Sequence, residues 1–237
     1  MSDHLPIPPL PDVVIEPLVR LALSEDLGRG GDITTDAVLP ASTHMRAVID
    51  AREPGIAAGY DAARLALRLI DPAAVWTTLT KEGVAFAKGA DLVRIEGSAR
   101  SILMAERVML NFIGPLSGVA TLTSKFVAET AGTQARVTCT RKTTPGFRAL
   151  EKRAVRLGGG ARWPLHELVP KTICRMRHGL RLPDVGDRAD FHQRIGPHEP
   201  ADDAPARRFV AGEVFGVDRV HRGVVVPRLQ HDVVHGD

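Results

Sequence analysis

Cysteine is almost missing from this chain: Cys139 and Cys174 stand far apart and form no CxxC pair. That excludes a disulfide framework and argues against a structural zinc site. Aromatic residues make up 4% of the sequence, too few for the stacking platforms that grip single-stranded nucleic acid. No apolar run is read as approaching the roughly 20 residues of a membrane span. The N-terminus, MSDHLPIPPLPDVV, lacks a basic stretch leading into an apolar one, so no signal peptide is read and a cytoplasmic protein is expected. Charge of one sign is scarce too. The formal net charge is +3 despite an isoelectric point near 9.1, and Lys and Arg are scattered rather than gathered. No nucleic-acid partner is expected, and the slight basicity suits anionic small molecules.

What is present reads as an ordinary globular protein, with 44% hydrophobic and 25% charged residues. Val13 to Leu27 has helical spacing, with Val14, Leu18, Leu21 and Ala22 on one face, and runs into the glycines at 28, 30 and 31. Residues 45–60 read as a strand, a turn at Pro54-Gly55 and a second short segment, and Asp61 to Ile70 as a helix ended by Asp71-Pro72. Val75 to Glu96 reads as short strands broken by Gly83 and Lys88-Gly89. A helix with Ile102, Met109, Leu110 and Ile113 inward is predicted to break at Gly114-Pro115, with a second helix from Ser117 to Thr130. Ala135 to Thr140 has strand character, and a third helix is predicted from Pro145 with Thr144 as N-cap, closed by Gly158-Gly159-Gly160. The glycine triplet is read as a hinge in preference to an anion-binding turn. The expected class is α/β: a small N-terminal α/β sandwich domain over 1–112, the start of an α/β barrel over 113–160, and an unmatched tail over 161–237.

The densest chemistry lies at Thr140-Arg141-Lys142-Thr143-Thr144-Pro145. Two cations and several hydroxyls sit at the C-terminal end of a strand, the edge where α/β folds bind ligands. Arginine offers a planar fork for carboxylate or phosphate, lysine a compact point charge. The same residues also fit a solvated loop whose cations pair with Glu151. Taken alone, Arg107 reads as a surface arginine, and Glu25-Asp26 as the capped or solvated end of a helix. Seven of the nine histidines fall after residue 160, without HxH or HExxH spacing, so no metal site is read there.

Three blocks go further than spacing. Glu25-Asp26-Leu27-Gly28-Arg29-Gly30-Gly31-Asp32-Ile33-Thr34-Thr35, then Glu106-Arg107 to Phe112 with Leu116-Ser117-Gly118-Val119-Ala120-Thr121, then Thr140 to Gly146 with Leu150-Glu151-Lys152 and Gly158-Gly159-Gly160, stand in order. Together they resemble the quinolinate phosphoribosyltransferases, over residues 13–160. The resemblance implies an N-terminal sandwich followed by an incomplete barrel, in a homodimer whose subunits complete each other's sites. It implies quinolinate and phosphoribosyl pyrophosphate as substrates, nicotinate mononucleotide, pyrophosphate and CO₂ as products, and Mg²⁺ on the leaving pyrophosphate. It assigns Arg107 to quinolinate in the partner's site, and Arg141 and Lys142 to substrate carboxylate and phosphate groups, with Thr140 supplying hydroxyl or backbone contacts. A related transferase for another ring acid, or a non-catalytic chain that binds anionic ligands, are the alternatives.

Beyond Gly160 the family's pattern fades. Leu165-His166-Glu167-Leu168-Val169-Pro170-Lys171 is a degraded echo of a family run, which puts Arg162 and Lys171 near the family's arginine and lysine. The family's histidine and its acidic metal and ribose ligands have no match. From 161 onward there are eleven arginines, one lysine, one threonine, no serine and no asparagine. Such a bias is what a GC-rich gene yields out of frame, and a diverged C-terminal half is the other explanation.

Overall fold

A computed structural model describes residues 7–133, 135–161 and 227–234, all within one compact unit. Arg162, Lys171 and most of the tail lie outside the described residues. The elements in chain order are α1 (Asp12–Leu27), α2 (Ile33–Val38), β1 (His44–Ala51), β2 (Gly55–Ile56), α3 (Tyr60–Ile70), β3 (Val75–Thr78), β4 (Ala85–Phe86), β5 (Asp91–Ser98), α4 (Ala99–Glu129), α5 (Arg148–Leu157) and β6 (Pro227–Val234).

Strands β3, β5, β1 and β6 form one antiparallel sheet in that order. Alternation in β1 turns Met45, Ala47 and Ile49 inward, and β5 answers with Leu92, Val93 and Ile95. The register runs from His44 opposite Ser98 to a bulge at Ile49/Asp50. β2 and β4 pair separately. β6 comes from the stretch read as an unmatched tail, yet its backbone pairs with β1 from His44↔Val234 to Ala51↔Pro227. The tail therefore contributes an edge strand to the N-terminal sheet, which its composition does not reveal.

Helix α4 is the spine, and it departs from expectation. It does not break at Gly114-Pro115 but runs on through Pro115. An interior proline costs about 3 kcal/mol. Phe112, Ile113 and Leu116 around it are each at most 2% exposed, and full burial of such side chains is worth about 1.5–3 kcal/mol apiece. Packing outweighs the proline. Continuous, α4 is long and apolar enough to cross a membrane by length and composition, but 56% of its most apolar stretch is buried inside the fold. It is the core helix of the unit, and the reading that no apolar run approaches that length is corrected to this extent.

α1 also differs from its expected face. Ile15, Val19 and Leu23 are buried, whereas Val14 and Leu21 stand exposed with Val13. Apolar residues surround this helix, so its sequence supports two stripes; packing against α3 and α4 selects the one at i, i+4, i+8. The predicted strand at 135–140 shrinks to a single parallel bridge between Thr138 and Ala161, with the amide of Ala161 donating to Val137 O at 2.8 Å. One further expectation fails at Gly158-Gly159-Gly160. A Cβ on Gly158 would lie 2.2 Å from the carbonyl oxygen of Ala120. The triplet ends α5 by pressing its backbone onto α4, a close approach rather than a hinge.

Candidate functional site

The loop leaving the Thr138 bridge is held from both ends. Cys139 is buried, Thr140 accepts the amide of Lys142 on Oγ1 at 3.1 Å, and the amide of Thr143 donates to Arg141 O at 3.1 Å. On the far side the Arg148 Nε–H donates to Thr143 Oγ1 at 3.3 Å. Phe147 stacks on Phe112 of α4 with ring centroids 5.6 Å apart. The loop is thereby tied to the core while Arg141 and Lys142 stand exposed.

Neither cation has an ion-pair partner among the described residues. Glu151, the partner that a solvated-loop reading supplies, instead accepts the amide of Thr144 at 3.3 Å on both carboxylate oxygens. The helix after the loop begins later than predicted. α5 starts at Arg148 with Phe147 in the cap position and no side-chain cap, because Gly146 takes a φ of 83° that no helix accommodates. Pro145 and Thr144 form a turn closed by the amide of Phe147 on Thr144 O at 3.0 Å.

Arg107 lies elsewhere, on the exposed side of α4. Its Nη1 is 3.7 Å from Oδ1 of Asp26, so the first two sequence blocks meet in space. No hydrogen bond or ion pair joins Arg107 to the Arg141–Lys142 loop among the described residues. Asp32 caps α2 by accepting the Thr35 amide at 3.0 Å, and also accepts the Thr35 hydroxyl. Those hydrogen bonds, with a smaller contribution from Arg107, hold its carboxyl below the usual value against slight desolvation.

Sequence reasoning missed two further sets of residues. Ser117 and Thr121 of the second block are structural ties. Ser117 Oγ accepts the Ala58 amide and donates to the Ala58 carbonyl, both at 3.1 Å, and Thr121 Oγ1 accepts the Ile56 amide at 2.8 Å. The second set is a buried ionic knot on Arg153. Its Nη1 is 2.7 Å from Glu82 Oε2, and its Nε donates to Pro8 O at 3.0 Å. Burial pushes the Glu82 carboxyl up, Arg153 opposes this, and Asp61 adds to it. No motif signals such a knot, since its members come from four distant segments.

Metal ligation has no visible home here: among the described residues, no three His, Cys, Asp or Glu side chains gather. Glu151, which reaches the cationic loop, is engaged with the Thr144 backbone.

Residues 32–117 match the family described as quinolinate phosphoribosyl transferase, N-terminal domain, and residues 119–186 its C-terminal domain. The C-terminal match runs well beyond Gly160, where the resemblance was read to stop, and the two matches meet inside α4. A nicotinate-nucleotide pyrophosphorylase [carboxylating] of Mycobacterium leprae is 44% identical over 186 residues, 78% of this chain and 65% of that protein. A chloroplastic counterpart from Arabidopsis thaliana is 39% identical over 65% of this chain and 43% of its own length. Among solved structures, NadC of Streptococcus pyogenes matches with TM-score 0.63 at 33% identity, over 66% of this chain and 55% of that one. The nicotinate-nucleotide pyrophosphorylase of Francisella tularensis matches with TM-score 0.62 at 36% identity, over 68% and 56%. The chain thus spans under two thirds of the length of each of these relatives.

Proposed function

The chain belongs to the quinolinate phosphoribosyltransferase family, and we propose that it serves the family's reaction in the biosynthesis of NAD. Quinolinate and phosphoribosyl pyrophosphate would give nicotinate mononucleotide, pyrophosphate and CO₂. The observation that carries this reading is the pair Arg141–Lys142, exposed and without an ion-pair partner among the described residues, on a loop anchored by buried Cys139 on one side and by Phe147 stacked on Phe112 on the other. A guanidinium fork beside an ammonium suits a pyridine dicarboxylate or a phosphate, and fixing the loop beforehand lowers the ordering cost of binding. The family descriptions name quinolinate, which favours it over another ring acid.

In this reading the ring nitrogen attacks C1 of the ribose and the C1–O bond to pyrophosphate breaks. The 2-carboxylate then leaves as CO₂, its bonding pair settling at ring carbon 2 beside the quaternised nitrogen, and a proton replaces it. Arg141 and Lys142 hold anionic groups in line, with Thr140 bracing the loop. Positioning and charge stabilisation are the protein's contribution. Mg²⁺ belongs to the proposal only as a companion of the substrate's pyrophosphate, since the described residues offer it no ligand set.

Arg107 is proposed to contact quinolinate in the site of a second subunit; its exposed place on α4, with no hydrogen bond or ion pair to the cationic loop among the described residues, fits that reading. Exposed Val13, Val14 and Leu21 on α1 also favour a paired protein. A second reading, a chain that binds anionic ligands without turnover, is favoured by the missing match for the family's histidine. Calorimetry with quinolinate, followed by product analysis with quinolinate against nicotinate, separates these readings. Binding that is lost on Arg141→Gln/Lys142→Gln, with the fold intact, is expected. Unchanged affinity in that double variant overturns the proposal.

A further inference from the structure

Asp26 closes the last turn of α1, and Arg107 stands on α4 with 78% of its side chain exposed, whereas that of Asp26 is 25% exposed. The ion pair is single-ended: one carboxylate oxygen faces one terminal nitrogen at 3.7 Å. A second carboxylate, on Asp32 across the glycine-rich segment, also feels the charge of Arg107. The end of α1 and the cap of α2 therefore both place an acidic group within the influence of one guanidinium far along the chain.

A solvent-exposed arginine spreads over many rotamers, and a ligand that needs one of them must immobilise the side chain. A carboxylate that engages one nitrogen narrows this spread while the other donors of the fork stay open to a ligand. An exposed pair of this kind adds little to stability, so its consequence lies in orientation. We propose that Asp26 is a positioning residue for Arg107, fixing the guanidinium so that its free edge is presented to a substrate carboxylate. This rests on the reading of Arg107 as a quinolinate contact. It gives the N-terminal block, otherwise remote from the chemistry, a part in substrate binding.

The test compares Asp26→Asn, Asp26→Glu, Arg107→Gln and the Asp26→Asn/Arg107→Gln double variant in the full chain. Two quantities are read: the order parameter of the Arg107 Nε–H by ¹⁵N relaxation without ligand, assigned through its loss in Arg107→Gln, and quinolinate affinity by calorimetry. Asp26→Asn is expected to lower the order parameter and weaken quinolinate about threefold, with phosphoribosyl pyrophosphate affinity unchanged. Asp26→Glu should restore most of both. In the Arg107→Gln background the same Asp26→Asn change should have no further effect. An unchanged order parameter in Asp26→Asn, or an equal loss of affinity in the two backgrounds, overturns the positioning role. Quinolinate affinity untouched by Arg107→Gln instead defeats the reading of Arg107 as a substrate contact, and the order parameter separates the two failures.

Discussion

Arg153 of α5 sets its Nε 3.3 Å from Oδ2 of Asp61 at the start of α3, with side chains only 8% and 6% exposed. Asp61 in turn accepts the amide of Leu10 at 3.0 Å, and Glu82 that of Tyr60 at 3.0 Å. One guanidinium therefore fastens the helix after the cationic loop to the N-terminal arm, to α3 and to the turn before β4.

Replacing Arg153 by Met should be severe. It leaves two buried carboxylates uncompensated, and breaking a buried pair from one side costs about 3–5 kcal/mol. Urea denaturation measures this; a loss below about 1 kcal/mol would show that solvent already screens the knot.

Glu82 gives the knot a pH signature. Burial raises its folded value, so the folded chain keeps this proton where the unfolded chain has released it. The contribution is complete below the ordinary glutamate value of about 4.3 and is lost as pH rises through the raised value. Urea midpoints across that window should fall for the parent relative to Glu82→Gln; parallel profiles would contradict the assignment.

Asp32 behaves in the opposite sense. Its carboxyl is held down mainly by Thr35, so its contribution is present above the ordinary aspartate value and lost as pH falls through the lowered one. Asp32→Ala removes the N-cap of α2 and should cost about 1 kcal/mol at neutral pH. Chemical denaturation at two pH values checks both statements, with the difference shrinking in acid.

Gly158→Ala tests the contact between α5 and α4. The added methyl would meet the backbone oxygen of Ala120 at 2.2 Å, and backbone cannot swing aside as a side chain does. Overpacking of this kind costs about 1–3 kcal/mol or more. A thermal melting point equal to that of the parent would mean that α5 shifts freely on α4.

Much of the local architecture was legible in the chain. The alternation of Met45, Ala47 and Ile49, the helix ended at Asp71, and the glycines that break up β3 to β5 are short-range signals read by nearest neighbours. The cationic loop and its family resemblance were legible too, because they depend on contiguous residues. Pro115 misled, since proline's cost is local whereas its compensation comes from a core assembled around it. β6 was hidden because a strand with no motif of its own declares itself only through the β1 edge it pairs with.

Sequence by itself determined the family, the elements α1, β1, α3 and the short strands between Val75 and Glu96, and the positions of Arg107, Thr140, Arg141 and Lys142 within blocks of contiguous residues. Only the tertiary structure decided which face of α1 is inward, that α4 is one helix, that Glu151 binds the Thr144 backbone and not the two cations, and that Asp26 meets Arg107. Periodicity and motifs are set by bonds along the chain. Burial and ion pairing depend on which distant segments share a small volume, where packing and desolvation are several times stronger than local preference.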